Sequence, residues 1–206
     1  MSNFLGAIFG VCLVVEFFNT VSEQFLQNSL LELTAVIFAI VYLLLAVKTN
    51  ILCWLAAGIS ALIFLYIFLG AKLYMASGLQ VYYLVMAVFG WYQWKLPSDS
   101  STALPISKWS MQQHAVALAL IVFFTFISGH LLHSGTDAQL PYMDSLTTWG
   151  SVVTTFMVAR KILENWIYWL AIDLVSIYLY LDRELYFTAI LFAVYIVIIF
   201  FGWFSW

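Results

Sequence analysis

The sequence is short of charge, of cysteine and of proline, and each shortage excludes a class of protein. Charged residues make up 8% of the 206 residues, against about 25% in soluble domains. A formal net charge of −3 offers no basic surface to a nucleic acid. The two cysteines, Cys12 and Cys53, lie in apolar runs without the spacing of a disulfide framework or a metal site.

Apolar residues are abundant instead. Hydrophobic residues make up 65% of the chain, and the mean hydropathy is +1.02. A soluble domain of this size could not bury so much apolar surface, so we predict an integral membrane protein surrounded by the lipid bilayer. The first apolar run, residues 4–15, is shorter than the roughly 20 residues a crossing needs. We therefore assign residues 1–31 to a lead-in with an accessory or interfacial helix.

Further apolar runs predict seven membrane-spanning helices. They cover residues 32–48, 52–70, 73–94, 114–132, 145–160, 165–181 and 185–206. The three prolines, Pro97, Pro105 and Pro141, all fall between these runs, so no span is broken by proline. With the faces numbered by alternation, one face carries five basic residues, Lys48, Lys95, Lys108, Arg160 and Lys161, and the other carries Lys72 and Arg183. The positive-inside rule then places the five, and the C-terminus, in the cytoplasm.

The sequence repeats itself at an offset of 112 residues without a gap. When the sequence is shifted by this offset, tryptophans align with tryptophans, glycines with glycines, and charged residues with residues of the same charge. The pairs are Trp54 and Trp166, Tyr83 and Tyr195, Gly90 and Gly202, Trp91 and Trp203, Trp94 and Trp206, Lys48 and Arg160, and Glu32 and Asp144. The repeats are therefore residues 32–94 and 144–206, joined by residues 95–143 with the fourth span.

Because three spans and one linker span make an even number of crossings, both repeats enter the membrane in the same direction. The expected fold is all-α and integral to the membrane, with 3+1+3 helices in two parallel repeats joined by a linker helix. Transporters with repeats of this kind bind substrate near the bilayer midplane at the repeat interface. Duplication kept only for assembly is the alternative.

An asymmetric substrate requires residues that differ between the two halves. In the sixth span such residues recur at helical spacing, as Trp166, Trp169, Asp173, Ser176 and Tyr180. Their equivalents in the second span are mostly apolar, as Trp54, Ala57, Ala61, Phe64 and Phe68. An aspartate in mid-membrane costs about 2.5–3.5 kcal/mol on insertion scales, which favours a functional role for Asp173 over helix packing.

A second candidate face lies on the third span, with weaker candidates elsewhere. Gln80, Tyr83 and Trp91 pair with Phe192, Tyr195 and Trp203 of the other half. An interfacial belt is the alternative for the tryptophans, above all for Trp94 and Trp206. Thr147, Ser151 and Thr154 could line a path, but we expect them to bond to their own helix carbonyls. His130 and His133, at the outer end of the fourth span, could form a metal or proton site, but we expect them to be solvated.

Two segments resemble the bacterial PnuC family of vitamin transporters. They are GWYQW at 90–94, repeated as GWFSW at 202–206, and ENWIYWLAIDLVSIYLYLDRELY at 164–186. The resemblance implies a 3+1+3 fold distantly related to SWEET sugar transporters, in the bacterial cytoplasmic membrane. It also implies facilitated diffusion, with phosphorylation trapping the substrate inside. Relatives carry nicotinamide riboside, thiamine or riboflavin.

The residues are compatible with nicotinamide riboside, a flat cation with an amide and a ribose. Trp166 and Trp169 would stack on the ring, with cation–π attraction of about 2 kcal/mol or more when desolvated. Asp173 would balance the charge, and Gln80 and Asn165 would pair with the amide or diol. Thiamine is the alternative substrate, and a non-transporting scaffold the alternative class.

Known catalytic motifs are absent from the sequence. It has no Walker motif, GxGxxG, HExxH or GxSxG, and no nucleophile–base pair or cluster of metal ligands at one depth. We therefore expect no enzyme activity, no cofactor and no metal. The expected partners are a small vitamin and the bilayer, with homo-oligomerisation open.

Overall fold

A computed structural model describes residues 19–21, 23, 30–70, 74–95, 104–135, 140–182 and 186–206. Seven long helices lie in these ranges: α1 Leu30–Val47, α2 Leu52–Gly70, α3 Tyr74–Lys95, α4 Met111–Gly135, α5 Pro141–Ala159, α6 Asn165–Asp182 and α7 Tyr186–Ser205. They match the predicted spans to within a few residues. The apolar run of residues 4–15 lies outside the described residues, as do Lys72 and Arg183.

Helices α4 and α5 begin earlier than their apolar runs. Met111 and two glutamines continue α4 beyond the apolar segment, because a helix is set by its backbone and not by hydropathy alone. Pro141 begins α5, where its missing N–H costs nothing and its fixed φ suits a first helical turn.

The ends of the first helix in each half are built alike. Thr49 and Lys161 both have φ 50°, the left-handed conformation that ends α1 and α5. The following residues, Asn50 and Ile162, donate back to the carbonyls of Leu45 and Met157, both at 2.9 Å. The 112-residue offset relates each of these pairs, so the repeat seen in the sequence is also a repeat of helix geometry.

Six of the helices contact one another in a closed ring. The order around the ring is α1, α2, α3, α5, α6, α7 and back to α1. Helix α4 lies outside the ring, where its backbone packs against α5 alone among the described helices. There Trp149 stacks on Phe124 at 4.5 Å and donates its indole N–H to the Ser128 hydroxyl at 3.1 Å.

Four helical segments of the described part of the chain are long and apolar enough to cross a membrane. They are Leu30–Val47, Leu52–Gly70, Met111–Gly135 and Thr188–Ser205. The other three helices, α3, α5 and α6, carry more polar side chains, among them Gln80, Ser151 and Asp173. All three belong to the ring, and Gln80, Ser151 and Asp173 are buried.

Each repeat is packed around one tryptophan and one glycine. A Cβ on Gly90 would lie 2.2 Å from the Trp54 ring, and a Cβ on Gly202 would lie 2.6 Å from the Trp166 ring. Both tryptophans are 2% exposed. Only glycine allows the second and third helices of each half to approach so closely.

Candidate functional site

Asp173 is the centre of the candidate site. It lies near the middle of α6 and is 3% exposed. Its carboxyl interacts electrostatically with the Tyr83 hydroxyl on α3 and with the Tyr195 hydroxyl on α7. Because α3 and α6 share no backbone contact, the interaction between Asp173 and Tyr83 crosses the interior of the ring.

Polar groups from the first repeat complete this cluster. The Tyr83 hydroxyl is hydrogen-bonded to the Ser151 hydroxyl of α5. Gln80 lies one helical turn before Tyr83 and is 8% exposed, and Ser176 lies one turn after Asp173 and is also buried. The faces of α3 and α6 that the sequence singled out therefore meet between the halves.

Aromatic rings form the side of the cluster that lies farthest from Trp166, toward the C-terminal end of α6 and the N-terminal end of α7. Tyr180 packs on Phe192 with ring centroids 5.2 Å apart, and Phe192 packs on Tyr195 at 5.4 Å. Tyr180 also interacts electrostatically with both Tyr83 and Tyr195. We call Gln80, Tyr83, Ser151, Asp173, Ser176, Tyr180 and Tyr195 the interior cluster.

The interior cluster has the chemistry of a binding site for a flat, polar and cationic molecule. It offers one carboxylate, one amide, hydroxyl groups and aromatic planes. No lysine, arginine or histidine of the described residues forms an ion pair with Asp173. The main influence on its carboxyl group is the loss of contact with water through burial. A buried carboxylate without a partner attracts a positive charge that enters with a ligand.

Five other predicted site residues lie toward the opposite end of the helices. Asn165 and Trp166 are about 10–12 Å from Asp173 along the helix axis. Asn165 donates its amide to the Ile162 carbonyl at 2.6 Å, and Trp166 is enclosed beside Gly202. The half-buried tryptophans pack against the same core, namely Trp91, Trp169 and Trp203. Asn165 and Trp166 are thus buried at this end, where the Asn165 Oδ1 and the Trp166 Nε1 have no hydrogen-bond partner, and Trp169 lies between them and Asp173 along α6.

The core at this end joins the two repeats. We call it the basic end, because the connections there carry Lys48, Lys95, Lys108, Arg160 and Lys161. The Trp94 indole donates to the Ala159 carbonyl at 3.1 Å, and the Trp206 indole donates to the Ala46 carbonyl at 3.0 Å. Each bond joins the third helix of one half to the end of the first helix of the other. We call this pair of bonds the tryptophan clasp.

Ring contacts reinforce the clasp. The ring centroids of Trp94 and Trp206 lie 6.2 Å apart. Trp94 meets Trp54 edge-on with centroids 5.5 Å apart, and Trp206 meets Trp166 edge-on at 5.3 Å. An interfacial belt is therefore the wrong interpretation for Trp94, which is only 7% exposed. The Lys161 ammonium lies 4.6 Å from the Trp94 ring centre, and burial lowers the pKa of this lysine below its ordinary value.

Hydroxyl groups on α5 divide into two kinds. Thr147 and Thr154 bond to carbonyls of their own helix, as predicted. Ser151 has a partner on another helix, because its hydroxyl bonds to that of Tyr83. Sequence reasoning missed this pair, and also the bond from the Tyr82 hydroxyl to the Val152 carbonyl at 2.7 Å. A helical-face analysis of α5 alone cannot show which hydroxyl faces a neighbouring tyrosine.

The remaining titratable groups lie outside the interior cluster. His130 and His133 are both exposed, as expected. Within the described part of the chain, no three histidine, cysteine or acidic side chains are grouped so that they could hold a metal ion. Cys53 is a free, fully buried thiol in the core of the basic end.

Comparison with known proteins identifies the family. The family described as nicotinamide mononucleotide transporter matches residues 29–206. A solved structure described as the vitamin B3 transporter PnuC superposes with a TM-score of 0.70 at 20% identity, covering 94% of this chain and 89% of that one. The similarity of fold is thus high although few residues are identical.

Characterised relatives carry different vitamins. The riboflavin/roseoflavin transporter RibM of Streptomyces davaonensis is 23% identical over 82% of this chain and 81% of its own length. The nicotinamide riboside transporter PnuC of Escherichia coli is 24% identical over 62% of this chain and 64% of its own length. PnuC of Shigella flexneri matches equally. The chain is therefore an all-helical, multi-pass membrane protein of the PnuC and nicotinamide mononucleotide transporter family, a family of transporters and not of enzymes.

Proposed function

We propose that this protein carries nicotinamide riboside across the bacterial cytoplasmic membrane by alternating access without ion coupling. The observation that carries the proposal is Asp173, a buried carboxylate without a cationic partner among the described residues. Nicotinamide riboside carries a permanent pyridinium charge, so its entry would offset the cost of burying this carboxylate.

In the proposed site the substrate lies between the repeats, on the interior cluster. The pyridinium faces Asp173, and Trp169 offers its ring from the direction of the basic end. Gln80 and Ser176 provide the donors and acceptors that the amide and ribose need. This arrangement assigns Asn165, Trp166, Trp91 and Trp203 to packing behind the site.

Charge also separates the riboside from its phosphorylated form. A mononucleotide would bring a phosphate to a cluster that contains the acid Asp173 and no lysine, arginine or histidine to balance the phosphate charge. Like charges in a desolvated site repel strongly. We therefore propose the riboside as cargo, although the family description names the mononucleotide.

Riboflavin is the second candidate, because RibM matches more of this chain than the riboside transporters do. Riboflavin is flat but uncharged, so its recognition would rest on the aromatic planes of the cluster and not on Asp173. Thiamine, another flat cation, is a further alternative within the family.

For the transport cycle we propose that all seven helices cross the membrane as two parallel three-helix repeats joined by α4. The repeats are residues 32–94 and 144–206, and the C-terminus is cytoplasmic. The tryptophan clasp then closes the cytoplasmic side, and it must open for release. A scaffold would need neither an interior carboxylate nor a closure at one end.

Calorimetric titration of purified protein with nicotinamide riboside, thiamine and riboflavin tests the proposal. We expect the riboside to bind most tightly to the parent protein. Asp173→Asn should weaken riboside binding by about tenfold to a hundredfold and leave riboflavin binding unchanged, since a charge-assisted contact contributes about 1.5–3 kcal/mol. Trp169→Ala should weaken the binding of both vitamins through loss of stacking. Riboside affinity equal to the parent in both folded variants would place the site elsewhere.

A further inference from the structure

A groove lies on the outside of the ring, apart from the interior cluster. It runs between α4 and α6, with α5 as its floor, and its volume is about 480 Å³. The two helices leave this space because their backbones do not contact each other. Apolar side chains line most of it, namely Leu118, Ile121, Leu146, Ile167, Ile172 and Val175.

The length of the groove matches one leaflet of a bilayer. On α6 its lining extends from Glu164 to Val175, a rise of about 16 Å. The hydrocarbon core of a bilayer is about 30 Å thick, so the groove runs from the basic end to about mid-membrane. Its one hydroxyl on α5, that of Thr147, is bonded within the helix.

The lining of the groove suits an acyl chain. Apolar side chains line nearly all of it, and a polymethylene chain can follow such a lining in van der Waals contact, with its atoms about 4 Å from their neighbours.

Polar groups are gathered where the groove opens at the basic end. The His114 Nδ1 lies 2.9 Å from the Tyr168 hydroxyl, and the two rings are stacked. Glu164 accepts a hydrogen bond from the backbone N–H of Trp109 at 3.3 Å through one carboxylate oxygen. The linker is held there by Ser107, which bonds on both sides to the α5–α6 connection at Lys161 and Leu163.

We propose that this groove binds a phospholipid with an ammonium headgroup, of the phosphatidylethanolamine type, in the leaflet of the basic end. One acyl chain fills the space between α4 and α6. The ammonium contacts the second carboxylate oxygen of Glu164, the acidic side chain of the lining. With the Tyr168 O–H donating to Nδ1, His114 carries its proton on Nε2 and donates it toward the headgroup phosphate. The lipid thereby joins the linker helix to the second repeat.

Native mass spectrometry tests the proposal on full-length protein reconstituted in vesicles of equal parts phosphatidylethanolamine, phosphatidylglycerol and phosphatidylcholine. The parent should retain one phosphatidylethanolamine in preference to the other lipids. Glu164→Gln keeps an acceptor for Trp109 and should lose that preference by about tenfold while still retaining lipid.

Two tryptophan substitutions separate the groove from the general lipid surface. Ala171→Trp places an indole in the groove and should abolish retained lipid. Ala119→Trp makes the same change on an exposed position of α4 outside the lining and should behave as the parent. The proposal would be overturned if the parent protein retained the three lipids in the proportions of the vesicle. It would also be overturned if Glu164→Gln retained phosphatidylethanolamine with the same preference as the parent. Loss of an oligomer without loss of lipid in Ala171→Trp would overturn it as well, because the groove would then be a subunit interface.

Discussion

At the scale of single residues, the depth of a side chain along its helix decides whether it faces the interior of the ring or a neighbouring helix. Asp173 and Trp166 lie on the same face of α6, yet one interacts across the ring and the other is enclosed beside Gly202. The difference arises from depth. Near the basic end the helices are pressed together by glycine–tryptophan contacts, and the polar groups begin about two turns further along.

The bond between Tyr83 and Ser151 provides a test of the interior cluster. Tyr83→Phe should weaken nicotinamide riboside binding by about threefold to tenfold, because a neutral hydrogen bond contributes about 0.5–1.5 kcal/mol. Ser151→Ala should have the same effect, and the double variant should be no weaker than either alone, since both act through one bond. Tyr92→Phe, at an exposed position on the same helix, is the control. Additive losses would show that the two hydroxyls act independently.

At the scale of helices, the contact between Gly90 and Trp54 makes a sharp prediction about stability. Gly90→Ala would place a Cβ 2.2 Å from the Trp54 ring, and overpacking of this kind costs about 1–3 kcal/mol. Gly78→Ala, on the same helix with nothing within 4 Å, should be neutral or stabilising by up to about 1 kcal/mol. Thermal unfolding in detergent measures both. Equal unfolding midpoints for the two variants would contradict the packing described here.

The tryptophan clasp can be tested with a native thiol. Cys53 is fully buried in the basic-end core that contains Trp54 and Trp94, so opening of that end should expose it. In a Cys12→Ser background, Trp94→Phe with Trp206→Phe keeps an aromatic ring at each position, although a smaller one, and removes both indole hydrogen bonds. Maleimide should then label Cys53 about tenfold or more faster, from about 1 kcal/mol for each bond.

Trp149→Phe is the matched control for the clasp. It removes an indole N–H that bonds Ser128, in the contact between α4 and α5, and should leave the labelling rate at the parent value. A clasp double variant that labels no faster than Trp149→Phe would show that these bonds do not hold the basic end closed.

At the scale of the whole molecule, much of the architecture could be predicted because the chain repeats. Hydropathy located the helices, and the 112-residue offset anticipated that Trp54 and Trp166, or Thr49 and Lys161, would occupy equivalent places. The divergence between repeats pointed to Asp173 and to the Gln80 and Tyr83 face, which the structure brings together.

The contacts between the two halves could not be predicted in this way. Which carbonyl accepts the Trp94 indole, or which hydroxyl meets Tyr83, depends on how two helices separated by some 65–70 residues are rotated against each other. Helical periodicity shows which residues share a face and not which neighbour that face meets. For this reason periodicity places Trp166 on the same face as Asp173 but does not show that Trp166 is enclosed beside Gly202 at the basic end.

The central claim is that the whole molecule equilibrates nicotinamide riboside across a membrane without an ion gradient. The observation behind this claim is that the interior cluster contains a single buried acid, Asp173, which has no basic partner among the described residues. Uptake of labelled riboside into proteoliposomes with identical buffers on both sides measures it directly. We predict that the internal concentration rises to the external value and stops there, and that Asp173→Asn slows this uptake. Absence of uptake by the parent until a sodium or proton gradient is imposed would contradict the account.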